Sequence, residues 1–292
     1  MNREHIDSKK SRRTLFMQVK HDLLMGIVYS WKKYVVVLFI FIFLCAVFQN
    51  GVIIHREHMG MKGTPNFSDF VIDLYKGMDI FEKVDNGDRF QIPGGWMIMN
   101  IFLTYIIGYY PLKDLKDYGS QILIRSKKRW QWWLSKCIWV IASVLTYYAI
   151  GYIVISIFSL FNGGISLTPT YDINMSISKV NTLGFTAGKL VVMTMVLPII
   201  ISIALSLIQM TISMVTTPIL SNIVLIAIIV ASAYYCHPLL LGNYLMILRN
   251  DAIVLGHGVN TMVGLGLGGV VTILAIIIGN LRFKKMDILE DK

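Results

Sequence analysis

Between Lys189 and Arg249 the chain reads LVVMTMVLPIIISIALSLIQMTISMVTTPILSNIVLIAIIVASAYYCHPLLLGNYLMIL, 59 residues without a single Lys, Arg, Asp or Glu. A bilayer core asks for about 20 apolar residues per helical crossing. This stretch therefore holds more than one crossing. Polar residues Gln209, Thr211, Ser213, Thr216 and Thr217 followed by Pro218 mark a turn, which predicts spans over 190–209 and 218–236. The remainder, His237–Met246, is short for a crossing and reads as a re-entrant or interfacial segment.

Working outward, four further charge-free blocks predict spans over 34–54, 93–112, 137–161 and 261–279. The chain has 292 residues, 55% hydrophobic and 15% charged, with a mean hydropathy of +0.62. Ordinary globular domains carry about 25% charged residues. A soluble enzyme and a disordered chain are both excluded as readings. The predicted fold class is an all-α polytopic membrane protein forming a single transmembrane domain over 1–292.

Charge assigns the sides. The segments 1–33, 111–136 and 280–292 hold 19 of the 27 Lys and Arg residues. The loop 55–92 is mildly acidic, and the loops 162–188 and 237–260 hold one basic residue each. Six spans place every basic-rich segment on one face, which the positive-inside rule makes cytoplasmic, with both termini there. The net charge of +10 follows from this bias and does not point to nucleic acid. The expected partner of that charge is the lipid bilayer.

Ahead of the first span, Phe16, Val19, Leu23, Ile27 and Trp31 fall on one helical stripe, with Lys20, His21 and Asp22 off it. This predicts an interfacial amphipathic helix. The outer loop 55–92 reads as a small external cap, with Phe70, Val71, Leu74 and Met78 at helical spacing. Cys45, Cys137 and Cys236 show neither disulfide nor zinc spacing.

The segment 111–136 is the most informative loop. Asp114 and Asp117 come first, then Tyr118, Gly119 and Gln121, the apolar patch Ile122, Leu123 and Ile124, and a basic-aromatic run from Arg125 to Lys136. An apolar patch on a short helix outside the membrane needs a surface to cover it. Trp130, Trp132 and Trp133 fit headgroup anchoring. This order of features resembles the coupling helix of ABC transporter permeases of type 2. Six spans, a preceding amphipathic helix, a re-entrant region before the last span and a short basic tail resemble that family's layout. The family often carries Glu and Pro where Asp117 and Ser126 stand. The resemblance implies that Asp114, Asp117, Tyr118, Gly119, Gln121, Ile122, Leu123 and Arg125 dock a separate cytoplasmic ATPase subunit, which binds ATP and Mg. It also implies assembly with a second copy or a related permease. Small permeases of this kind are similar to exporters of phenol-soluble-modulin-like and antimicrobial peptides.

The chain contains no G-x-x-x-x-G-K-[ST] loop, so no cofactor and no catalytic residue are expected in it. Gly264-Leu-Gly266-Leu-Gly-Gly269 matches a dinucleotide fingerprint but lies inside an apolar 19-residue run. Gly264 and Gly268 read instead as a close-packing pair between helices or copies. His55-Arg-Glu-His58 reads as solvated rather than metal-binding, and no metal site is expected. No ionisable residue lies within the spans, which disfavours ion-coupled transport. Asn100, Thr104, Tyr148, Met193, Met195 and Asn222 are the expected lining of a cargo path, set against plain packing and interhelical bonding. A non-transporting scaffold or sensor docking a partner through 111–136 is the alternative.

Overall fold

Small polar residues and prolines set where the helices begin. The computed structural model describes residues 2–81, 90, 92–119, 123, 128–254 and 258–286, with side chains from residue 12 onward other than that of Tyr118. The labelled helices are α1 (Asn2–Leu23), α2 (Trp31–Met59), α3 (Phe67–Tyr75), α4 (Gly94–Gly108), α5 (Tyr110–Asp114), α6 (Arg129–Leu160), α7 (Ala187–Val215), α8 (Pro218–Tyr234) and α9 (Thr261–Lys285). Thr217 marks the break inside the long charge-free run, where the turn was expected. Its Oγ1 accepts from the Leu220 N–H at 3.2 Å, and Pro218 occupies the first turn of α8. Asn260 caps α9 through the Met262 and Val263 N–H groups. Among the described residues, extended pairing is confined to one bridge between Asn250 and Val259.

Among the described residues, four helices are long and apolar enough to cross a membrane: α2, α6, α7 and α9. α8 is apolar but has 17 residues, about 25 Å of helix. α4 has 15 residues and breaks at Tyr109 before α5 resumes. The helices of the first, third, fourth and last expected spans run past their charge-free cores. α6 starts eight residues before Cys137, and α9 continues through Arg282, Lys284 and Lys285.

α7 carries a π-helical turn over Val192–Val196, just before Pro198. Proline has no N–H to give to the carbonyl four residues back and pushes against it. The Thr194 carbonyl, left without that donor, accepts instead from Tyr152 Oη at 3.3 Å. The Pro198 carbonyl accepts from Tyr148 Oη at 3.3 Å. Two tyrosines on α6 thus bond to the backbone beside the proline in an apolar setting.

α6 and α7 form the centre, and α2 and α9 lie more exposed. Phe41 of α2 sits against Gly151 of α6, where an added Cβ would come within 2.6 Å of its ring. Gly264 and Gly268 lie against α7 and the 241–245 turn. A Cβ on Gly268 would stand 2.8 Å from Ile200, and one on Gly264 would collide with Tyr244. The small-residue pair is therefore used for packing within the chain.

The connections sort to two ends. At one end α3 is buried, closed by a reciprocal cap in which Asn66 and Asp69 bond each other's backbone N–H. Asp69 also accepts from the Thr170 N–H at 2.7 Å and Asn174 Nδ2 at 2.6 Å. Burial nevertheless pushes its carboxyl above the usual range, against the pull of those donors. The helical spacing expected around residues 70–74 is borne out, with Met78 lying beyond the helix. The segment 241–250 at this end is wholly buried and forms two short 3-10 turns. Leu248 N–H bonds the Lys76 carbonyl at 3.0 Å, and Trp96 Nε1 bonds the Leu245 carbonyl at 3.0 Å. At the other end the three basic-rich segments meet.

Candidate functional site: a buried charge cluster at the basic end

Asp22 of α1 is 3% exposed, although the apolar stripe of its helix points it away from any core. The helix turns Gln18, Asp22 and Gly26 inward and leaves Phe16 and Trp31 largely exposed. Gly26 makes this approach possible, because a side chain there would collide with the indole of Trp139. The inward polar edge serves one residue. Lys136, at the start of the apolar core of α6, is fully buried, and its Nζ lies 2.5 Å from both Asp22 Oδ1 and Asp114 Oδ2.

The cluster is closed on several sides. Ser135 Oγ donates to Asp22 Oδ2, Tyr110 Oη donates to Asp22 Oδ1 at 3.1 Å, and His21 Nε2 lies 3.5 Å from Asp114 Oδ1. The rings of Tyr110 and Trp132 face the Lys136 ammonium at 4.8 and 4.9 Å. Burying a charge costs several kcal/mol unless partners replace its water. Lys136 has two carboxylates and two aromatic faces for that purpose.

His21, Asp22 and Asp114 also bring three ligand-type atoms within 4.8 Å of one another. The ammonium of Lys136 already lies between the two carboxylates, where a metal ion would bind. The donor set fits an internal cation better than a metal.

Chemically the cluster is a joint. Asp22 belongs to the N-terminal helix, Asp114 to the end of α5, and Lys136 to α6. A fourth element is tied in nearby: Arg129 Nη1 donates to the Lys284 and Met286 carbonyls at 2.9 and 2.7 Å, and Trp132 stacks on Phe283 with centroids 4.6 Å apart. These bonds satisfy carbonyls at the C-terminal end of α9.

The loop residues singled out in the sequence divide in their roles. Asp114 and Leu123 are buried, and Gly119 is packed so that a Cβ would come within 2.7 Å of the Asp114 carbonyl. These three hold the loop in place. Asp117 is exposed on the π-helical turn Leu115–Gly119. The Tyr118 side chain, Gln121, Ile122 and Arg125 lie outside the described residues.

The six residues read as path lining do not converge on one space. Tyr148 is buried between Tyr75, Tyr152 and Ser202. Met193 is buried in the same core and Met195 packs against it. Thr104 and Asn222 are joined through Gln209, whose Nε2 donates to the Thr104 carbonyl at 2.7 Å and to Asn222 Oδ1. Gly108 lets that trio close. Asn100 bonds back to the Trp96 carbonyl of its own helix. The Thr104–Gln209–Asn222 arrangement is interhelical bonding of the kind weighed in the sequence.

A protein-family model described as "Protein of unknown function (DUF2705)" matches residues 43–289. The chain belongs to the DUF2705 family. The matched region contains Asp114 and Lys136 but begins after Asp22, so two of the three charged groups of the joint lie within the DUF2705 segment. No curated protein and no solved structure matches.

Asp22 and the burial of Lys136 escaped the sequence reading. The available signal was weak: Asp22 is the sole acid between Asp7 and Glu57, and Lys136 directly precedes a charge-free block.

Proposed function

We propose that this chain is the membrane permease subunit of an ATP-driven exporter in a bacterial plasma membrane, crossing six times with both termini cytoplasmic. The observation that carries the reading is the joint at Lys136. It makes the 110–119 loop, the N-terminal helix and the base of α6 one mechanical unit. A loop that must transmit motion from an ATPase to the spans needs such a rigid connection. Six crossings are supported by the contacts at the two ends. The N-terminal segment, the 110–136 loop and the α9 terminus touch one another at one end, and the loops around 66, 168, 178 and 248 touch at the other. α4 with α5, and α8, are the two short crossings.

The ATPase is a separate subunit that holds ATP and Mg, and a second copy or related permease completes the path. The cargo class is amphipathic, such as toxin or antimicrobial peptides, and it rests on the resemblance to small peptide-exporting permeases. The test is co-purification with the ATPase encoded beside this chain, followed by ATP turnover. Asp117→Arg, which reverses an exposed charge, is expected to lower coupled turnover about tenfold, a loss of about 1.4 kcal/mol. Failure to recover an ATPase, or unchanged turnover in a formed complex, would move the scaffold reading ahead.

A further inference from the structure

A cavity of about 350 Å³ opens at the basic end, between the N-terminal segment, the start of α2 and the junction of α4 with α5. Lys33, Lys113, His21, Ser30, Tyr105 and Tyr109 line much of it. The two lysines come from separate elements, and neither has a carboxylate partner among the described residues. Lys33 Nζ donates a long bond to the Ile106 carbonyl, 3.4 Å, and faces the Trp139 ring 6.0 Å from its centroid. The two ammonium groups repel each other across the space. Of the two acids on the wall, Asp114 is engaged by Lys136 and His21.

Two cations held toward one space, with neither bonded to an acid, are arranged for an anion. The hydroxyls of Tyr105 and Tyr109 are suited to donate to its oxygens. The apolar wall completes the description. Met25 lines the cavity, and Met25, Val28, Trp31, Tyr105 and Tyr109 all have exposed side chains. Aromatic and basic residues together are the composition of a membrane headgroup layer.

We propose that this cavity is a phosphate-ester site filled by the headgroup of an anionic phospholipid, with Lys33 and Lys113 as its cationic ligands. The proposal uses the membrane placement of the chain but not the transport reading. Bound there, a headgroup would touch both the helix-entry segment at Ser30 and Lys33 and the 110–117 loop.

The experiment is native mass spectrometry of the full chain in detergent, titrated separately with phosphatidylglycerol, phosphatidylcholine and glycerol phosphate. Each lysine is expected to contribute roughly fivefold in affinity, from about 1 kcal/mol per basic residue near an anionic surface. Phosphatidylglycerol should bind in preference to phosphatidylcholine, and Lys33→Gln with Lys113→Gln should weaken it roughly 25-fold. Lys113→Gln alone, on an exposed side chain, should weaken it roughly fivefold and guards against a folding defect. Lys32→Gln, outside the cavity, should change nothing. Glycerol phosphate binding as tightly as the lipid, with the same lysine dependence, would keep the site and assign it to a soluble ester. Equal binding of the two lipids, or binding indifferent to both lysines, would overturn the proposal. None of these readouts involves ATP turnover, so the site and the exporter reading fail separately.

Discussion

Two fully buried cations sit at opposite ends of this molecule and are stabilised by different means. Lys136 meets two carboxylates, contributed by two other elements. Arg249 meets none among the described residues. Its Nη2 donates to the Ala233 carbonyl at 2.7 Å, its Nε to the Met78 carbonyl at 3.1 Å, and its Nη1 is buried without a partner. Ala233 lies in the last turn of α8, where the helix dipole favours positive charge. Arg249 is thus a helix cap that also fastens the 76–81 segment. A fork of donors can satisfy carbonyls from two directions, which a point charge cannot do. Lys136 is a point charge placed between two acids. The first arrangement closes one end of a helix, and the second joins three elements.

The largest expected effect follows from breaking the second arrangement. Lys136→Met leaves two buried carboxylates facing each other without their cation, and should cost about 3–5 kcal/mol, measured by unfolding in mixed micelles. Combining it with Asp22→Asn and Asp114→Asn should recover much of that loss, because no buried charge is then left unpaired. If the triple variant is no better than Lys136→Met, the cluster is not an electrostatic joint. Arg249→Met removes a charge but strands only two carbonyls, so its cost should be smaller, about 1–3 kcal/mol. Arg249→Lys should recover at most part of it. A loss at Arg249 equal to that at Lys136 would erase the distinction drawn here.

Smaller effects sharpen the picture. Gly119→Ala forces a Cβ toward the Asp114 carbonyl and should cost about 1–3 kcal/mol, while the equivalent change at Gly266, which faces open space, should not destabilise. Tyr152→Phe removes the donor to the Thr194 carbonyl beside Pro198 and should cost about 1 kcal/mol. Its effect should shrink when Pro198 is replaced by Ala, because the helix can then supply its own donor. A double-mutant cycle with no coupling would disprove that link.

The helices were largely legible in the sequence. Apolar stretches about 20 residues long, opened by caps at Thr217 and Asn260, locate them because apolar length and capping chemistry act locally. The ends were less legible. α6 begins at Arg129 rather than near Cys137, since Arg129 and Trp132 find partners on the α9 terminus that no local pattern announces. The site was legible only in outline. The loop 111–136 stood out by composition, yet Asp114, expected at a docking surface, is turned inward to Lys136. Asp22 was placed only as off the apolar stripe by which its helix was judged. The structure packs the polar edge of that helix instead and leaves much of the stripe exposed.

What the sequence by itself determined is the helical, apolar character of the chain and the grouping of its basic segments, because hydrophobic length and charge distribution are properties of consecutive residues. What only the tertiary structure decided is which charges are paired and which are left to attract a ligand. Asp22, Asp114 and Lys136 are separated by 92 and 22 residues, and so are Lys33 and Lys113 by 80. Whether such groups meet depends on how the helices pack, and an ion pair or an anion site exists only when packing brings side chains from different elements within a few ångströms.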